Sequence, residues 1–310
     1  MKLKLNFDIY QRRFKQPLRT SHGIWQIREG IIISLSNGID FARGEIAPLS
    51  WFGSETMSQA LEFCQHWGDN ISTEDIAKIP DRLPACQFAF ESAWLNLTQP
   101  QVNIALDNLD FCYLLPAGAT ALNAWQKIYQ QQHNTTFKWK IGVYPLAQEI
   151  EILQQLVATL PSQVKLRLDA NEGLNLTQAQ QLLAVTDNLT AIEFIEQPLA
   201  RDCLREMIRL SQEYSTPLAL DESVASFLQL QQADRQGWQG IFTIKAAIMG
   251  FPSRLIEYCQ QHSLDIVFSS VLETEIGRDA VLKFARQLNH PRAFGFGVEG
   301  FIRGINGTTN

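Results

Sequence analysis

Two regimes of hydrophobic patterning divide the chain. Over residues 1–10, 30–35 and 40–46 the apolar positions fall as they do in strands, and Asn37-Gly38 supplies a hairpin turn between the last two. Helical spacing follows at about residues 54–67 and 84–97, so the first hundred residues read as an antiparallel sheet followed by helices. From Phe111 the pattern changes. Short apolar runs at 111–114, 136–141, 164–169, 192–196, 218–221, 241–245, 265–269 and 293–296 alternate with helical stretches such as 146–160 and 204–214. Eight strands with helices between them predict a parallel β/α barrel. Residues 98–109 carry no strong pattern and form the expected linker.

A charged residue ends most of these barrel strands, where packing alone would favour an aliphatic one. Lys140, Asp169, Glu196, Asp221 and Lys245 recur once per strand-helix unit of roughly 30 residues, and so occupy equivalent places at the carboxyl ends of successive strands. In barrels of this type that end carries the active site. Strand parity puts Lys138 with Lys140, and Arg167 with Asp169, on the inward face, while Phe137, Trp139, Leu166 and Leu168 face the helices. Charges pointing into a barrel cost several kcal/mol each, by roughly the penalty for buried ions, unless they compensate one another or bind something.

Asp169, Glu196 and Asp221 therefore form a converging carboxylate trio that calls for a cation. Hard oxygen donors without matching His or Cys favour Mg²⁺ or Mn²⁺ over Zn²⁺. Lys140 and Lys245 flank the trio, and Lys138 is placed to lower the pKa of Lys140, so that Lys140 acts as a base. Arg167 is expected to pair with a metal-site carboxylate. Asn171 supports the metal site or Lys245, and Glu222 is as suited to a supporting contact as to the surface. Ser223 reads mainly as a helix cap, and His22 lies in an N-terminal loop that could serve as a lid. A divalent ion with a lysine base suits removal of a proton α to a carboxylate, giving elimination, racemisation or cycloisomerisation.

The 310-residue length accommodates a catalytic barrel over residues 101–300 and an α+β capping domain over residues 1–100, on which the C-terminal tail could pack. Hydrophobic residues are 45% of the chain, which supplies a large core; charged residues are 19% and the net charge is −6, which argues against nucleic-acid and polybasic membrane surfaces and leaves a small molecule as the default partner, a carboxylate by the chemistry above. The five cysteines are scattered without a C-x-x-C pair, so neither a disulfide framework nor a zinc site is expected. No apolar run matches a bilayer span and the N-terminus alternates like a strand, so a soluble cytoplasmic protein is expected. Monomer and homo-oligomer are not distinguished at this level.

Lys138-x-Lys140, Asp169-Ala170-Asn171, Glu196-Gln197-Pro198, Asp221-Glu222-Ser223 and Lys245 together resemble the enolase superfamily in its muconate-lactonizing subgroup. The resemblance spans nearly the whole chain and implies a (β/α)7β barrel with an N-terminal cap. Within the subgroup, residues 166–171 and 268–274 are most similar to the o-succinylbenzoate synthase family of menaquinone or phylloquinone synthesis. That implies dehydration of 2-succinyl-6-hydroxy-2,4-cyclohexadiene-1-carboxylate, with Lys140 as base and then acid and Lys245 as a cation over the enediolate. It also implies Ser269 and Ser270 near the succinyl tail, with a Gly295-Phe296-Gly297 turn close by. The alternative in the same superfamily is an N-acylamino acid racemase or dipeptide epimerase. The epimerases usually carry an Asp-x-Asp on the last barrel strand, and residues 292–298 here contain no acid.

Overall fold

The computed structural model describes residues 1–20, 23–99, 109–132, 135–288 and 292–297. The N-terminal sheet has the order β3-β2-β1-β4, built from β1 (Lys2–Thr20), β2 (Gly23–Ser36), β3 (Phe41–Ile46) and β4 (Asn70–Ser72). Leu3, Leu5, Ile31, Ile33 and Leu35 are buried on one face, as alternation requires. β1 and β2 run on well past the expected ends, pairing to Thr20↔Gly23 with a register break between Arg13 and Leu18. This extension is a two-stranded ribbon rich in Gln, Arg and Lys, so it lacks the apolar alternation by which strands are recognised, and Pro17 falls at its irregular stretch. The strand β4 and the short helix α2 (Thr73–Ile76) were not expected; Ser72, between them, caps α2 reciprocally with Asp75. α1 (Met57–Trp67) starts later than the pattern suggests because Thr56 and Gln59 form a capping box, and α3 is Pro84–Thr98.

The second sheet contains eight parallel strands: β5 (Phe111–Leu115), β6 (Thr136–Lys140), β7 (Lys165–Asp169), β8 (Ile192–Glu196), β9 (Leu218–Leu220), β10 (Ile241–Ile244), β11 (Ile266–Phe268) and β12 (Phe294–Gly297). β12 pairs with β5, and a parallel bridge from Ser269 to Gly295 joins the end of β11 to β12, closing the ring. Seven helices intervene, α4 (Ala121–Gln132), α5 (Leu146–Thr159), α6 (Leu176–Thr186), α7 (Leu204–Glu213), α8 (Phe227–Arg235), α9 (Pro252–His262) and α10 (Glu275–Ala285), giving the (β/α)7β barrel. Phe137, Trp139, Leu166 and Leu168 are fully buried in the main apolar core, as parity requires, whereas Phe194, Ala219, Ile241 and Val267 form a small separate cluster on the inward parity of their strands. The segment 100–108, which holds most of the expected linker, lies outside the described residues.

Two N-terminal glutamates fasten the sheet and α3 to the barrel. Glu91 of α3 accepts hydrogen bonds from Ser253 N (2.9 Å) and Ser253 Oγ (2.7 Å) in the first turn of α9. Glu45 of β3 accepts from Thr274 N and Gly277 N, both at 2.9 Å, at the start of α10, and also from Thr274 Oγ1 and Tyr10 Oη. Each carboxylate satisfies donors that a helix N-terminus leaves free and complements its dipole. Close approach of α3 to β3 requires Gly44, where a Cβ would stand 2.1 Å from the Ala89 carbonyl oxygen.

Candidate active site

Lys140, Asp169 and Glu196 are the last residues of β6, β7 and β8, and lie side by side in register. Asp221 follows β9 directly and Lys245 follows β10. In a ring of eight, β6 and β10 stand opposite, so the two lysines face an intervening arc of three carboxylates. The loops just beyond hold unusual backbone: Asn171 (φ 41°), Glu172 (φ 65°), Gln197 (φ 38°) and Leu272 (φ 63°) are all left-handed without being glycine. Such strain persists where surrounding contacts impose it, commonly at functional sites.

The carboxylates are neutralised by lysines. Lys138 Nζ donates to Glu196 Oε1 at 2.7 Å and to Asp169 Oδ2 at 3.3 Å, and Lys245 Nζ bonds Asp221 Oδ1. Burial alone would lower the pKa of Lys138, but Asp169, Glu196 and Asp221 outweigh it and raise that pKa. Glu196 is pushed up to about 7, by burial first, with Asp169 and Asp221 adding to it against Lys138. Asn171 donates its main-chain N–H to Asp169 and its amide to Glu222 Oε1 (3.1 Å), so it supports the carboxylate side of the site. Glu222 is buried rather than on the surface, and burial together with Asp221 lifts it to about 8.

Among the described residues no three His, Cys, Asp or Glu side chains are drawn into a ready-made cage, since each of the trio is turned to a lysine. The donor set nevertheless fits a hard divalent cation: it is all carboxylate oxygen, and Glu196 Oε2 is buried with no hydrogen-bond partner. A cavity of about 200 Å³ opens beside it, lined in part by Lys138, Asp169, Ser269, Ser270 and Gly295. A larger cavity of about 550 Å³ lies between α1 and residues 75–83, but it carries none of the strand-end charges, so the candidate site is the smaller one.

Several expectations change. Arg167, fully buried, pairs not with a metal-site carboxylate but with Glu193, Nε to Oε2 at 2.7 Å. The β7–β8 register skips Glu193 between Leu166↔Ile192 and Arg167↔Phe194, and this irregularity brings its carboxylate to Arg167 and to Arg292 Nη1 (2.9 Å). Arg292 also holds Asp265, so an ion network closes the amino end of the barrel below the site. Ser223 does not cap α8; Ser226 does. Gly295 and Gly297 lie in β12, not in a turn. Gly295 lines the cavity, but Gly297 packs on β5, where a Cβ would meet the Cys112 carbonyl oxygen at 2.3 Å. His22 lies outside the described residues; its neighbours Thr20 and Gly23 are paired strand ends.

Other contributors escaped the sequence reading. Gln197, fully buried, accepts from Asp221 N (3.0 Å) and Ser223 N (3.1 Å), which ties the end of β8 to the Asp221 loop. Glu149 of α5 accepts from Gly142, Val143 and Tyr144 N–H groups and fixes the loop after Lys140. Phe52, from the N-terminal unit, lies with its ring centroid 3.8 Å from Lys245 Nζ. The sequence signal for Gln197 was its place directly after a strand-end acid; Phe52 had none, because the contact crosses between distant segments.

The family described as Enolase C-terminal domain-like matches residues 120–295, and the one described as MenC, N-terminal domain, matches residues 10–97. The o-succinylbenzoate synthase of Thermosynechococcus vestitus is 37% identical, over 96% of this chain and 93% of that protein. The crystal structure of o-succinylbenzoate synthase from Thermosynechococcus elongatus, complexed with Mg in the active site, superposes with a TM-score of 0.91 at 36% identity, covering 97% of this chain and 95% of that one. A substrate-liganded L-Ala-D/L-Glu epimerase from Bacillus subtilis shares the fold, with a TM-score of 0.80 at 21% identity over 94% of this chain and 89% of that one. Strand-end charges, closed barrel and likeness over nearly the full length agree: the chain belongs to the o-succinylbenzoate synthase family of the enolase superfamily.

Proposed function

We propose that this protein is a lyase that dehydrates 2-succinyl-6-hydroxy-2,4-cyclohexadiene-1-carboxylate to o-succinylbenzoate, a step toward menaquinone or phylloquinone. The observation that carries the reading is the arc of Asp169, Glu196 and Asp221 between lysines on opposite strands. Asp169, Glu196 and Asp221 would hold Mg²⁺, or Mn²⁺ in its place, which when bound supplies positive charge to the substrate carboxylate as it gains electron density. Lys140 takes the proton α to that carboxylate. The C–H electron pair passes into the enediolate, the C–O bond to the hydroxyl breaks, and the Lys140 ammonium returns its proton so that water leaves. Lys245 stays protonated and faces the planar anion. Lys138, Asn171 and Glu222 hold the trio in place, and Ser269, Ser270 and Gly295 wall the space for the succinyl tail.

Residues 1–100 act in this reading as the cap over a catalytic barrel of residues 101–300. The partner is a small carboxylate in the cytoplasm; no described helix is long and apolar enough to cross a membrane. Dehydration is followed by the ultraviolet absorbance of the aromatic product. Turnover is expected with Mg²⁺, to vanish with excess chelator, and to vanish in a folded Lys140→Ala variant. Full activity in chelator, or racemisation of N-acylamino acids with a kcat/KM above that for dehydration, would defeat the proposal.

A further inference from the structure

The turn that follows β11 contains a carboxyl group that the mechanism above does not use. Glu273 is buried. Its Oε2 lies 2.8 Å from Ser270 Oγ and accepts the Val271 N–H at 2.7 Å, while its Oε1 is buried with no hydrogen-bond partner. Ser270 Oγ also accepts the Leu272 N–H at 2.8 Å, and Leu272 is the left-handed residue of this turn. Ser270 itself lines the cavity.

A hydroxyl has one hydrogen and two lone pairs. If Glu273 is ionised, the Ser270 hydrogen must point at it, and only a lone pair faces the cavity. An anionic ligand group would then meet oxygen against oxygen. If Glu273 carries a proton, the polarity reverses: Ser270 accepts from Glu273 and from Leu272 N–H, and its own hydrogen is free for the ligand. The surroundings favour the protonated form. On that side the groups that interact with it are Glu45 of β3, a second carboxylate, and the Tyr10 hydroxyl of β1, which in turn faces Arg28 of β2. Arg12 of β1 donates to the Glu273 main-chain oxygen (3.4 Å) rather than to its carboxyl, and on the cavity wall Lys138 is paired with Asp169 and Glu196. A buried carboxylate with one orphaned oxygen and no cation on it is the costly state.

We propose that Glu273 is a positioning residue that works as a neutral carboxyl group, donating to Ser270 Oγ and so turning the Ser270 hydroxyl into the cavity as a donor for an anionic end of the substrate. This rests on the proposed reading of the cavity as the seat of the succinyl carboxylate. Burial and Glu45 push Glu273 up to about 7, so the switch of polarity falls near neutral pH.

The test is calorimetric binding of o-succinylbenzoate to the Mg²⁺-loaded enzyme at pH 6 and pH 8, in buffers of different ionisation enthalpy, alongside the KM for dehydration. The wild type should take up roughly 0.4 of a proton on binding at pH 8, and affinity should fall roughly fivefold from pH 6 to pH 8, as a tenfold preference for the protonated form, the scale of one hydrogen bond to a charged group, gives for a group titrating near 7. In Glu273→Gln the amide oxygen accepts from Ser270 and Val271, so the hydroxyl stays turned away. Affinity should then be roughly tenfold weaker at pH 6, lose its pH dependence, and show no proton uptake. Ser270→Ala should behave likewise, and the double variant should be no weaker than Ser270→Ala, whereas a purely structural role would give additive losses. Proton uptake that persists in Ser270→Ala overturns the proposal even should Glu273→Gln fail to fold. Absence of o-succinylbenzoate binding by the wild type at both pH values also overturns it. A wild type that binds with the expected proton uptake but does not dehydrate refutes the synthase reading and leaves this inference standing.

Discussion

Replacing Glu45 by alanine tests how the N-terminal sheet is fastened to the barrel. The Glu45 side chain is 1% exposed and receives Thr274 N, Gly277 N, Thr274 Oγ1 and Tyr10 Oη. Alanine leaves the two N–H groups and the tyrosine hydroxyl without acceptors, at about 1–3 kcal/mol for each buried group left unpaired. It also removes a negative charge from the N-terminus of α10, worth about 0.3–1 kcal/mol. Water entering the space offsets part of this, and we expect a net loss of about 4 kcal/mol. Glutamine keeps one oxygen for the helix and presents its amide to Tyr10, which can accept, so Glu45→Gln should cost about 1–2 kcal/mol, the difference between charge-assisted and neutral bonds. The assay is urea unfolding followed by both tryptophan fluorescence and far-ultraviolet circular dichroism, because a two-unit chain need not unfold in one step. The melting temperature of Glu45→Ala should drop by roughly 6 °C. The same residue caps the helix behind residues 269–274, so the KM should rise with it. An alanine variant within about 1 kcal/mol of wild type would show that the carboxylate does not hold the two units together.

Three further outcomes are expected. Gly44→Ala places a Cβ 2.1 Å from the Ala89 carbonyl oxygen and should cost about 2 kcal/mol or more in chemical denaturation, whereas Gly38→Ala, with nothing within 4 Å but φ at +95°, should pay only for backbone strain, about 1 kcal/mol. Glu193→Ala leaves the fully buried Arg167 guanidinium without its carboxylate and should destabilise by about 3–5 kcal/mol; a melting temperature equal to wild type would contradict the ion network at the barrel's amino end. Glu273 also leaves a signature in stability against pH. Its folded pKa of about 7 lies above the ordinary 4.5, so the folded state binds that proton more tightly than the unfolded one. The resulting stability is fully present below about pH 4.5 and lost as pH rises through about 7, a change of about 3 kcal/mol that Glu273→Gln should remove from the difference between pH 5 and pH 8 melts.

Much of this protein was written in local pattern. The barrel strands announce themselves because each is a short apolar run with turn residues at its ends, and β5 to β12 fall within a residue or two of the positions read from hydrophobicity alone. Lys140, Asp169, Glu196, Asp221 and Lys245 could be assigned to one end of one barrel because strand parity and the repeat of the strand-helix unit are one-dimensional properties. Anything whose partner lies far along the chain was not written there. Arg167 was correctly placed inward, yet its carboxylate was misassigned, because the register irregularity at Glu193 is a property of two paired strands and not of either sequence. The ribbon of β1 and β2 beyond Arg12 sets a few apolar residues such as Phe14 and Trp25 among Gln, Arg and Lys, so hydrophobic alternation could not reveal it. Gln197 holding the Asp221 loop, Phe52 beneath Lys245, and Glu45 and Glu91 capping barrel helices are contacts between segments brought together only by folding. The sequence by itself determined which charged side chains end the barrel strands and at which end of the barrel they stand, since that follows from periodicity. The tertiary structure alone decided which charges compensate which and how each group is held, since those depend on distances of a few ångströms across strands, where burial makes each unpaired polar atom costly.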